Sequence, residues 1–134
     1  MVEIKTADWK HEKHVPVIHA PDAVNAGASV TVTVIVGEEI PHPNTPEHYI
    51  SWIELYFVLK GGETAYFLGR AEFGAHGEAE LQTDPRAVFQ VSVPGSGTLK
   101  AVALCNIHGL WEGSKEIEVI EVPCKRKKKK EESE

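Results

Sequence analysis

The 134-residue sequence has no apolar run approaching the ~20 residues that a membrane-crossing helix requires. It also lacks any segment with apolar residues sustained at spacings of three and four, so no long helix is expected. Cysteine is scarce: Cys105 and Cys124 are the only two, and no C-x-x-C pair exists. That speaks against a disulfide scaffold and for a reduced thiol with a chemical task. The opening MVEIKTADWKHEK puts charges where a secretory leader needs an apolar stretch, so the expected location is the cytoplasm. Basic residues are few outside the last ten positions. Of 14 Lys/Arg and 20 Asp/Glu, residues 125–134 take six and three, which leaves 8 basic and 17 acidic groups before them, a charge of −9. Phosphate demands a basic surface, so nucleic-acid binding by this body is not expected.

A hydrophobic fraction of 42% and a charged fraction of 25% are ordinary for a folded protein and exclude wholesale disorder. The length suits one domain, expected over residues 1–124. The tail KRKKKKEESE (125–134) is expected to be a disordered, solvated end rather than an RNA or lipid anchor, because blocks of like charge rarely pack.

Residues 29–37, SVTVTVIVG, place Val30, Val32, Val34 and Val36 on one side and Thr31 and Thr33 on the other. This period of two in β-branched residues predicts a strand packed on one face. Similar segments recur at 50–60, 65–70, 87–93, 98–104 and 116–122, with a further short one around Val15, Val17 and Ile18. Turn formers separate them: Asn25-Ala26-Gly27, Gly61-Gly62, Pro94-Gly95-Ser96-Gly97 and Glu112-Gly113-Ser114. About seven short strands at near-regular spacing predict an all-β, immunoglobulin-like antiparallel β-sandwich. Two long irregular stretches, 38–49 and 72–86, interrupt the pattern and are natural places for function.

Seven histidines are an enrichment, and their placement narrows the chemistry. His42 and His48 lie in a loop stiffened by Pro41, Pro43 and Pro46, which can present two imidazoles to one centre at little entropic cost. The alternative is a polar turn with exposed histidines. Cys105 and His108 form a C-x-x-H unit at the end of an apolar strand, a chelating interval. The alternative there is a buried cysteine beside an incidental histidine. His14 precedes the first short strand. Together these offer four imidazoles and one thiolate, one donor too many for a closed tetrahedral zinc site. Five donors leave one octahedral position open, which suits a redox-active iron meeting a small oxygen species.

The segments EKHVP (12–16), EIPHPNTPEHYI (39–50), GRAEFGAHGE (69–78) and CNIHGLW (105–111) resemble, in consistent order between Trp9 and Trp111, the signature segments of superoxide reductases, the neelaredoxin and desulfoferrodoxin family. Without paired cysteines the chain resembles the short, single-iron form. The resemblance implies that His14, His42, His48 and His108 are equatorial iron ligands and Cys105 the axial one. It implies that Glu12 caps the sixth position of the oxidised resting centre, and that Lys13 stands beside the open site. The implied cofactor is one mononuclear non-haem iron per chain, and the implied reaction is one-electron reduction of superoxide to hydrogen peroxide. A rubredoxin donor and a homotetramer follow from the same resemblance. Lys13 also makes electrostatic sense, since an anionic substrate approaching an acidic body needs a local positive field.

His76 matches a family segment but no family ligand, and is expected to be structural, hydrogen-bonded near a subunit contact or the site loop. His11 and His19 are expected at the surface, and Cys124 idle. Asn106 and Ile107 are expected to act through backbone amides directed at the sulfur. Leu104 stands where many relatives carry an aromatic residue, and residues 78–86 are less similar than their surroundings. The alternatives from other classes are a non-catalytic iron protein for electron transfer or oxygen sensing, and a structural zinc-binding sandwich.

Overall fold

β-Branched alternation builds the smaller of two sheets. The structure is a computed structural model and describes residues 4–121; the tail at 125–134, Cys124 and the ends of the expected 1–124 domain lie outside the described residues. Strand β3 (Val30–Val36) turns its four valines inward, each 3% exposed or less, and its threonines outward. It pairs antiparallel with β1 (Pro16–His19) on one side and β6 (Arg86–Val91) on the other.

The larger sheet has the order β2-β8-β7-β4-β5. Its members are β2 (Ala23–Asn25), β4 (Ile50–Leu59), β5 (Tyr66–Glu72), β7 (Gly97–Cys105) and β8 (Gly109–Ile120). Along β7 every second residue faces the core, so Leu99, Ala101 and Ala103 are buried and Cys105 ends the same row. Across from them β4 contributes Ile53, Leu55 and Phe57. Burying each large aliphatic side chain of this row contributes about 1.5–3 kcal/mol, so the two inner faces hold the sandwich shut.

The predicted sandwich is present, with corrections in detail. There are eight strands among the described residues rather than about seven, and β2 pairs with β8 in parallel, against the otherwise antiparallel pattern. The last predicted strand, 116–122, begins at Gly109, so Glu112-Gly113-Ser114 lies within a strand and is no turn. Gly113 has another reason to be glycine: a Cβ there would overlap the carbonyl oxygen of Pro16, where β1 crosses over β8. Among the described residues, no helix is long and apolar enough to cross a membrane.

Candidate metal centre

Three separate pieces of chain bring donor atoms to one end of the sandwich. The first is the approach to β1, which buries His14. The second is the irregular stretch between β3 and β4, which carries His42 and His48. Gly37 starts that stretch at φ 84°, and a Cβ on it would come within 2.6 Å of the His42 backbone nitrogen. The loop therefore doubles back tightly onto the end of β3, and only glycine permits it. The third is the three-residue β7–β8 turn, Asn106-Ile107-His108, closed by the pairing of Cys105 with Gly109, itself at φ 84°.

The donor atoms of His14, His42, His48 and Cys105 all lie within 4.8 Å of one another. His108 joins at the exposed rim: its Nδ1 is 3.2 Å from His14 Nε2 and 3.7 Å from Cys105 Sγ. The four rings stand at the corners of a near square. Successive centroids are 4.9 Å (His14–His42), 4.6 Å (His42–His48), 5.0 Å (His48–His108) and 4.9 Å (His108–His14) apart. The diagonal from His14 to His48 is 6.3 Å, as a slightly folded square requires.

The hydrogen bonding shows what this square is for. His42 Nδ1 is 2.7 Å from the Pro43 carbonyl, to which it donates. That leaves His42 Nε2 as a buried lone pair without a partner, and His48 Nε2 is buried and unpartnered as well. Buried polar atoms are rarely left alone. Two orphaned imidazole nitrogens facing a third ring and a buried sulfur fit a single metal ion. Burial pushes His42 down to about 4, with the Pro43 bond opposing and the neighbouring His14, His48 and Lys13 reinforcing the fall. Burial likewise lowers His14 and His48. All three rings are thus held neutral near pH 7, the form that binds metal.

Around this set the structure places the remaining predicted residues. Glu12 Oε1 accepts from the His14 backbone N–H at 2.6 Å and lies 2.9 Å from His14 Nδ1, so its carboxylate orients the ring and leaves Nε2 directed inward. Burial raises the Glu12 carboxyl, but the His14 bonds outweigh it and the net direction is down. Lys13 is half-buried beside the cluster, and its charge contributes to the lowering of His14, His42 and His48.

The expectation for the sulfur needs correcting. Its backbone donor is the His108 N–H at 3.4 Å, whereas the Asn106 N–H donates to the Tyr49 carbonyl at 3.1 Å. The ladder between β4 and β7 still runs at Cys105 and claims the next amide. His76 is buried and bonded to the site loop, with Nδ1 2.9 Å from Asn44 Oδ1, Nε2 2.8 Å from the Phe73 carbonyl, and its ring stacked on Tyr49 at 3.7 Å. His11 and His19 are exposed, bonded to Asp8 and Glu38.

Sequence reasoning missed Trp111 as part of the site. Its ring stacks on His14 at 4.8 Å and 13°, with the Lys5 ammonium 5.5 Å over the same indole. The segment CNIHGLW contains Trp111 but gives no sign of this contact, since ring stacking is invisible without coordinates.

Residues 6–114 match the family model described as Desulfoferrodoxin. The chain belongs to this family. It is 51% identical over 115 residues to a superoxide reductase of Pyrococcus horikoshii, covering 86% of this chain and 96% of that protein. It is 48% identical over 120 residues to a neelaredoxin of Megalodesulfovibrio gigas, covering 84% and 92%. Among solved structures it is similar to the superoxide reductase (neelaredoxin) of Archaeoglobus fulgidus in the reduced form, with a TM-score of 0.78, 50% identity and coverage of 86% and 98%. For a chain of the desulfoferrodoxin family, the cluster of His14, His42, His48 and Cys105 points to a mononuclear iron centre.

Proposed function

We propose that this chain is a superoxide reductase, reducing superoxide by one electron, with two protons, to hydrogen peroxide. Four imidazoles in a square with one thiolate beside them carry the reading, because that set binds a single ion and leaves a sixth direction for a small ligand. His14, His42, His48 and His108 are the imidazole ligands and Cys105 the sulfur ligand. Bound iron supplies the electron by cycling between Fe(II) and Fe(III).

The chain's own residues do the rest. Lys13 draws the anion through an otherwise acidic field and holds a proton, or a water that carries one, where the product forms. The His108 N–H shares the sulfur's charge and tunes its donor strength. Trp111 and Glu12 fix the His14 ring from its face and its edge. Glu12, whose Oε1 is engaged with His14, would on family resemblance cap the oxidised resting centre.

The replacing electron comes from a partner, which we take to be rubredoxin on family resemblance. The homotetramer rests on family resemblance.

The iron-loaded protein is expected to be coloured when oxidised, through sulfur-to-ferric charge transfer. In its reduced form it is expected to yield one peroxide per superoxide with no dioxygen. Release of dioxygen at half the superoxide consumed would show dismutation instead, and a colourless protein carrying zinc would overturn the reading.

A further inference from the structure

We propose that the Asn106 side chain is a positioning residue for the metal centre, fixing the sulfur-bearing turn against His48. The inference rests on the metal-centre reading above. The backbone ladder between β4 and β7 ends at Ile50 and Cys105. Beyond it the two chains would be free to splay, and each goes on to carry donors: His48 and His42 on one, His108 on the other. Asn106 continues the ladder with its own side chain. Its backbone N–H donates to the Tyr49 carbonyl at 3.1 Å. Its Oδ1 accepts from the Tyr49 N–H at 2.8 Å, and its Nδ2 donates to the Glu47 carbonyl at 3.0 Å.

The two residues flanking His48 are therefore both bonded to the residue that follows Cys105. The amide orientation is fixed by these partners, because a backbone N–H needs an oxygen and a carbonyl needs an N–H. Only asparagine offers both on a stem this short: aspartate keeps the acceptor and loses the donor, and glutamine is one methylene too long. Asn106 is exposed, so it adds nothing to the core. Its effect on the centre is separable from any effect on packing. The far side of the loop has a different anchor, the part-buried His76–Asn44 contact, which comes from a segment carrying no proposed ligand.

The test uses the full chain loaded with Co(II), whose thiolate charge-transfer and ligand-field bands report donor geometry independently of turnover. Asn106→Ala is expected to shift the ligand-field bands and to weaken Co(II) binding by about 10- to 100-fold in competition with a chelator. The melting temperature of the metal-free protein is expected to move no more than for an ordinary surface substitution. Asn106→Asp, which keeps the Tyr49 bond, is expected to fall between wild type and alanine, and decides the matter where alanine does not fold. Variants with wild-type bands and affinity would overturn the inference, as would a fall in melting temperature with unchanged bands. A wild-type protein without a thiolate-to-cobalt band would overturn the metal-centre reading and this inference together.

Discussion

The Gly37–Tyr49 loop and the Cys105–Gly109 turn each deliver two donors, and they are held in opposite ways. The turn is made by its own strands: nine consecutive pairings of β7 with β8 fix where Cys105 and His108 point before anything else touches them. The loop has almost no internal structure beyond the reciprocal Thr45–His48 backbone bonds. It is held from outside, by Asn106 on one flank and by His76, Thr83 and Gln82 on the other. A short hairpin is a local solution, whereas an irregular loop needs the rest of the fold to make it rigid.

The largest expected effect comes from the self-made turn. Cys105→Ser is expected to abolish the sulfur-to-ferric band while leaving the fold intact; an unchanged visible spectrum would show that the sulfur ligand is misassigned. The two glycines at φ 84° sharpen the contrast. Gly109→Ala meets open space and incurs only left-handed strain, about 1 kcal/mol in denaturant melts. Gly37→Ala adds a collision with the His42 nitrogen, so a loss of about 3 kcal/mol is expected, together with weaker metal binding. Equal losses at the two positions would remove the distinction between loop and turn.

A smaller effect is expected at Lys13, which belongs to neither segment. Lys13→Ala should slow the second-order reaction with superoxide roughly tenfold and flatten its dependence on ionic strength, with iron content unchanged. A pulse-radiolysis rate that does not move would remove electrostatic guidance from the account.

A further effect concerns the metal-free protein. Burial holds His42 at about 4 in the folded chain against 6.5 for the free side chain, so the unfolded chain binds the extra proton. The stability linked to this group is present above pH 6.5 and is lost as pH falls toward 4. Melting temperatures followed down this range should fall more steeply for wild type than for His42→Gln. Identical slopes would mean that the ring is not buried as the loop places it.

Much of this was legible in the letters. The valines of β3 announced a one-faced strand, and Cys105 with His108 announced a chelating turn, because period and short spacing are local properties. The segment after Cys105 was read too short: Gly113 looked like a turn former, when it is the point where β1 passes over β8. Asn106 was expected to serve the sulfur through its amide, but its amide and side chain both serve the facing loop. Each miss involves a partner distant in the chain, which composition and spacing do not register.

The amino-acid sequence by itself determined most of the strand pattern, the turn that carries Cys105 and His108, and the kinds of donor available, since each follows from side-chain chemistry within a few residues. Tertiary structure alone decided that His14, His42, His48 and His108 close into one square, and that Trp111 covers His14. The physical reason is that these contacts join residues up to 97 positions apart, as His14 and Trp111 are. Only the packing of two sheets can bring such residues to one end of a sandwich.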